Sequence, residues 1–170
     1  MKKSEKRSFL VPFLFVIYMA LLVWIILFKL QFSISEIDKI RSINLIPFHY
    51  KNEIGMNYHL KEVLENVAIF IPLGIYLCMF RHEFTVKVKI FFVFMISLLF
   101  EIFQYILAVG RTDVTDLITN TCGGVVGIAL YCLIIRVFHN RKQVNLIITI
   151  LAAVVTLVVV FLLTVLLIFN

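Results

Sequence analysis

Apolar and polar positions along this chain fall into long blocks. Phe9 to Phe28 holds no charge and has about the ~20 residues that one membrane span needs. Four more apolar blocks follow, at about Val63–Phe80, Ile90–Ala108, Val114–Ile135 and Val144–Phe169. Gln31 to Glu62 separates the first two blocks as a polar loop of mixed charge. The opening MKKSEKR resembles the start of a signal peptide. The block after it is long, lacks an A-x-A site and leads into further spans, so it reads as a retained helix. Pro12 falls in its first turn, where proline is tolerated. Gly110 fits a helix stop, and Asp113 followed by Asp116 fits an N-cap with an acidic first turn.

Composition supports this division. Of 170 residues, 62% are hydrophobic and 15% charged, with a mean hydropathy of +1.06, whereas soluble domains carry about 25% charged residues. The expected fold is an all-α integral membrane protein of five transmembrane helices, a single domain over 1–170, with an extracytoplasmic loop between helices one and two. The net charge of +6 does not point to nucleic acid, because the bases cluster between apolar blocks, as membrane topology requires. With the N-terminus inside, the inner segments hold Lys2, Lys3, Lys6, Arg7, Arg81, Lys87, Lys89, Arg136, Arg141 and Lys142. The outer side holds Lys29, Lys39, Arg41, Lys51, Lys61 and Arg111 over much longer loops. The orientation is N-in, C-out. Cys78, Cys122 and Cys132 all lie inside apolar blocks and read as small buried hydrophobes, with no disulfide framework or metal spacing.

The candidate chemistry lies where polar side chains interrupt the spans. The uncharged run Ile90–Phe100 is too short to cross a bilayer, so Glu101 must be embedded, ~16 Å from the inner end of its helix. Gln104 shares its face. Such a carboxylate is protonated, paired or facing a wet cavity. On helix four Asp113, Asp116 and Asn120 share one face at spacing i, i+3, i+7, and GGVVG below them contains a G-x-x-x-G that permits close helix contact. Helix two opens with Glu62, Glu65 and Asn66, and Pro72 loosens its middle. Arg111, between helices three and four, is the expected countercharge. Together these residues predict an outward-facing polar pocket within the membrane. Capping and interhelical hydrogen bonding are the alternative roles for the same groups. Asp113, Asp116 and Glu101 could also hold a divalent cation, but nothing separates that from hydrogen bonding, and no metal is assigned. His49, His59, His82 and His139 show no ligand spacing and read as surface or interfacial. No motif names a cofactor.

Four segments resemble the VanZ-like family of bacterial membrane proteins: LFKLQ at 27–31, RSINLIPF at 41–48, ENVAIFIPLG at 65–74 and FEIFQYILAVGRTDVTDLITNTCGG at 100–124. The resemblance implies a multi-pass protein of the bacterial cell membrane associated with low-level resistance to the glycopeptide teicoplanin. It singles out Arg41, Asn44 and Pro47 in the outer loop, then Asn66, Pro72 and Gly74. From the long motif it adds Glu101, Gln104, Arg111, Asp113, Asp116, Asn120 and Gly124.

Two functions lead, above a small transporter or flippase component, which five spans without an inverted-repeat pair would allow only as an oligomer, and a purely structural partner. In the first, the protein acts on or shields a lipid-linked envelope component, with Arg41, Asn44, Asn66, Gln104, Arg111, Asp116 and Asn120 as binding residues. Its partners would be membrane lipids and a lipid-linked cell-wall precursor. In the second, it is an intramembrane hydrolase or transferase of a phospholipid or polyprenyl phosphate. Glu101 or Asp113 would then be the acid or base and Arg111 the phosphate clamp. The chain offers no Ser-His-Asp elbow, no HExxH and no committed nucleophile. RSINLIPFHY is apolar for a loop and is either a lid on the pocket or an ordered connection.

Overall fold

A computed structural model describes residues 9–28, 40–48 and 56–169. In chain order the elements are α1 (Leu10–Phe28), β1 (Ile40–Asn44), α2 (Met56–Phe80), α3 (Val86–Leu107), β2 (Val109–Asp113), α4 (Val114–Phe138) and α5 (Arg141–Phe169). Among the described residues, five helices are long and apolar enough to cross a membrane, as the apolar blocks predicted. Three begin earlier than those blocks do. α2 starts at Met56, α3 at Val86 and α5 at Arg141, because a helix once nucleated continues through polar residues that cap it or face water. Thr85 accepts a hydrogen bond from the Val88 amide at 3.4 Å, and Asn140 accepts from Lys142 and Gln143 at 3.1 and 3.2 Å.

The core is built around α2 against α4, the most extensive contact in the fold. Glycines allow it. A Cβ on Gly123 would meet the Val67 carbonyl, one on Gly127 the Ile71 carbonyl, and one on Gly74 the Gly124 carbonyl. The opposite side of Gly124 is filled by Val93 of α3. α1 adds Leu22 and Leu27 to a cluster with Phe70, Leu73, Val93 and Phe100. Pro72 removes one amide from the α2 ladder, and the Tyr18 hydroxyl of α1 donates to the nearby Ile69 carbonyl at 2.8 Å. α5 docks through Val144, packed with Cys78, Ile128 and Tyr131. Most of its remaining length exposes Leu, Val and Ile.

Three details differ from the sequence reading. α3 ends at Ala108, not Gly110: Ala108 takes the left-handed conformation (φ 55°, ψ 36°) and its amide bonds to the Gln104 and Tyr105 carbonyls. Gly110 lies instead in β2, where no glycine has positive φ. The chain can turn early because β2 immediately captures it, pairing in parallel with β1 from Ile40↔Val109 to Asn44↔Asp113. That pair was not foreseen, since two five-residue strands separated by α2 and α3 leave no local pattern. Finally, His59 is buried in the extended first turns of α2, while Cys122 and Cys132 are exposed on α4. Apolar positions of a membrane helix need no protein cover, because lipid supplies it.

Candidate functional site

At the end of the bundle where α3 turns through β2 into α4, polar side chains from five elements meet. Glu101 is 3% exposed, and its Oε2 accepts the Asp113 amide at 3.0 Å. The Thr112 hydroxyl donates to the Glu101 carbonyl at 3.1 Å, fixing the turn from the other side. Asp113 caps α4 as its sequence position predicted, Oδ1 accepting the Thr115 amide at 2.8 Å. Its other oxygen accepts from Asn44 Nδ2 at 2.9 Å. One turn along, Asp116 Oδ1 accepts from Asn66 Nδ2 at 2.8 Å, and both aspartates lie within electrostatic range of Glu101. Deeper still, Asn120 Nδ2 donates to Ser97 Oγ at 3.0 Å.

The shared face of α4 therefore serves three neighbours. Asp113 reaches β1, Asp116 reaches α2 and Asn120 reaches α3. Gln104, one turn beyond Glu101, donates to the Ile26 carbonyl of α1 at 3.0 Å. Gln104 Oε1 and Asn120 Oδ1 are buried with no hydrogen-bond partner among the described residues.

Of the sequence-predicted residues, Asn44, Asn66, Glu101, Asp113, Asp116 and Asn120 are joined or adjacent in this cluster, and Gln104 borders it. Arg41 and Arg111 occupy the paired strands, opposite Gly110 and Ser42. Their side chains, and with them the expected countercharge, lie outside the described residues. Glu62 and Glu65 have other neighbours, Glu62 lying 3.9 Å from the buried His59 and Glu65 3.6 Å from the exposed Lys61. Among the described residues no three His, Cys, Asp or Glu side chains converge as a metal site. Past β1, the Phe48 amide donates to Thr115 Oγ1 at 3.0 Å, tying that part of RSINLIPFHY to α4, while His49 and Tyr50 lie outside the described residues. Ser97, Thr112 and Thr115 were missed. Ser97 had a signal, since Ser97, Glu101 and Gln104 at spacing i, i+4, i+7 mark one polar stripe on α3.

The VanZ/LLP1 family model matches residues 15–138. The chain belongs to the VanZ/LLP1 family. It is 40% identical over 131 residues to Protein VanZ of Enterococcus faecium, covering 76% of this chain and 78% of that one. No solved structure matches it significantly. The VanZ/LLP1 match spans α1 to α4 with both strands, so it contains every hydrogen bond of the cluster and stops short of α5.

Proposed function

We propose that this VanZ-family chain lowers susceptibility to teicoplanin by engaging a lipid-linked envelope component through the polar cluster. The observation that carries the reading is Glu101, a 97%-covered carboxylate held by a backbone amide beside two aspartates, inside a segment long enough to span a membrane. Intramembrane acids are expensive and mark functional sites by default. The distribution of lysine and arginine turns this end of the bundle outward, N-in and C-out, toward the leaflet face where lipid-linked cell-wall precursors are exposed in a bacterial cell membrane. The Asn66–Asp116 pair supplies an amide and a carboxylate suited to a sugar- or peptide-bearing headgroup.

The test compares Glu101→Gln and Asp113→Asn with wild type at matched membrane levels in a teicoplanin-sensitive host. Both changes keep side-chain size and remove an ionisable carboxyl; Glu101→Gln retains an oxygen for the Asp113 amide, and Asp113→Asn retains one for the Thr115 amide while giving up the Asn44 contact. Each is expected to restore susceptibility to that of cells without the protein. Unchanged resistance in both variants would rule the cluster out as the active element.

Juxtaposed carboxylates also favour a second reading, an intramembrane hydrolase or transferase of a phospholipid or polyprenyl phosphate. Acids in different environments can divide acid and base roles. Here the Glu101 side chain accepts one backbone amide, whereas Asp113 accepts two hydrogen bonds. This reading expects a change in lipid-linked precursor or phospholipid pools, measured by mass spectrometry, that disappears in Glu101→Gln. Identical pools with and without the protein leave binding alone.

A further inference from the structure

We propose that the opposite end of the bundle carries a second site, for a phosphate-bearing anion held by Lys89 and Arg141. A cavity of about 340 Å³ lies there, walled among others by Cys78, Lys89, Tyr131, Cys132, Ile135 and Arg141. That volume falls within the ~300–1,000 Å³ typical of ligand pockets. Lys89 lines it while only 6% exposed, and no carboxylate pairs with it among the described residues.

A lysine near a membrane helix end ordinarily snorkels to water. Lys87, on the same turn of α3, is exposed. Lys89 instead faces inward, where an unpaired ammonium is costly. The local charge balance leaves it without relief. Glu83 is the sole acid at this end among the described residues, and it is engaged by Arg81 at 3.8 Å and His82 at 3.4 Å. Arg81, Lys87, Lys89, Arg136, Arg141 and Lys142 stand against it. Helix dipoles do not settle the sign, because α3 and α5 begin here while α2 and α4 end here. Side chains decide it, and they are cationic.

A phosphate suits the pair. Its several oxygens accept the forked donors of a guanidinium and the point charge of an ammonium together. The Tyr131 hydroxyl, which donates to Asn145 Oδ1 at 2.8 Å, keeps lone pairs for a protonated phosphate oxygen. A lipid headgroup and a soluble phosphate share this chemistry. The site lies at the start of α3 and the end of α4, whereas the polar cluster lies at their other ends, so it does not depend on the function proposed for that cluster.

The experiment uses full-length protein in neutral detergent, in a Cys122→Ser background that leaves Cys132 as the exposed thiol. One arm offers inorganic pyrophosphate. The other compares nanodiscs of phosphatidylcholine containing phosphatidylglycerol with nanodiscs of phosphatidylcholine alone. Binding is read as adducts in native mass spectrometry and as protection of Cys132 from a maleimide. Wild type and Lys89→Arg should retain at least one probe, with about tenfold or greater weakening in Lys89→Met and Arg141→Gln. Retention of pyrophosphate identifies a soluble phosphate, and retention of phosphatidylglycerol alone identifies a headgroup. Arg141 is exposed, so Arg141→Gln decides the matter even if Lys89→Met fails to fold. Equal retention in wild type and both charge-removing variants, or no protection by either probe, overturns the proposal.

Discussion

A Gly127→Val variant is expected to vanish from the folded fraction of detergent-extracted protein, and Gly127→Ala to lose about 1–3 kcal/mol of stability. The Gly127 Cβ direction runs into the Ile71 carbonyl of α2, and a backbone oxygen cannot rotate aside as a side chain can. Within lipid, helices gain little from burying apolar surface against each other, since the tails are as apolar as leucine. Close packing therefore carries the association. Gly123 against Val67 and Gly74 against Gly124 extend the same seam, so separating the helices at one point loosens all three. Stability is read by unfolding in a graded detergent mixture. The control is Ala129→Val on the exposed face of α4, which adds comparable volume toward lipid and should change stability by no more than about 0.5 kcal/mol. If Gly127→Val accumulates and unfolds like that control, the α2–α4 seam is not the framework of the fold.

Removing Asp113 is the second large effect. Asp113→Ala deletes the cap on the Thr115 amide and the acceptor for Asn44 in one step. Loss of a cap costs about 0.5–2 kcal/mol and loss of a hydrogen bond to a charged group about 1.5–3, together roughly 2–5. Asp113→Asn keeps one oxygen to cap the Thr115 amide but turns an NH2 toward Asn44, so it should lose that contact, about 1.5–3 kcal/mol, and keep the cap, which is why membrane levels are matched in the resistance test. Asn44→Ala removes only the clamp on β1. A double-mutant cycle of Asn44→Ala with Asp113→Ala should show clear coupling, because the residues touch. Additive losses would mean that β1 is held by its strand pairing with β2 rather than by this side-chain contact.

The polar stripes carried most of the candidate site in the sequence. Glu101 could not be placed outside the bilayer given the short apolar run before it, and the i, i+3, i+7 spacing of Asp113, Asp116 and Asn120 set them along one side of α4. The spacing did not give their partners. Asp113 turns back onto Thr115 and Asn44 while Asp116 crosses to Asn66, a split that depends on which helix lies against which turn. His59 misled because the apolar block placed the start of α2 too late. Cys122 and Cys132 misled because lipid can cover what protein does not.

Sequence alone determined the number of spans, the cap at Asp113 and the glycine seam, because each follows from local chemistry: apolar length, side-chain reach to a nearby amide, and the lack of a Cβ. Only the tertiary structure decided the β1–β2 pairing, the burial of Lys89 and the partners of each polar group. Those depend on residues far apart in the chain, 69 positions for Asn44 and Asp113 and 78 for Ile26 and Gln104. No local propensity encodes such a meeting; it follows from how α2 and α4 close on one another.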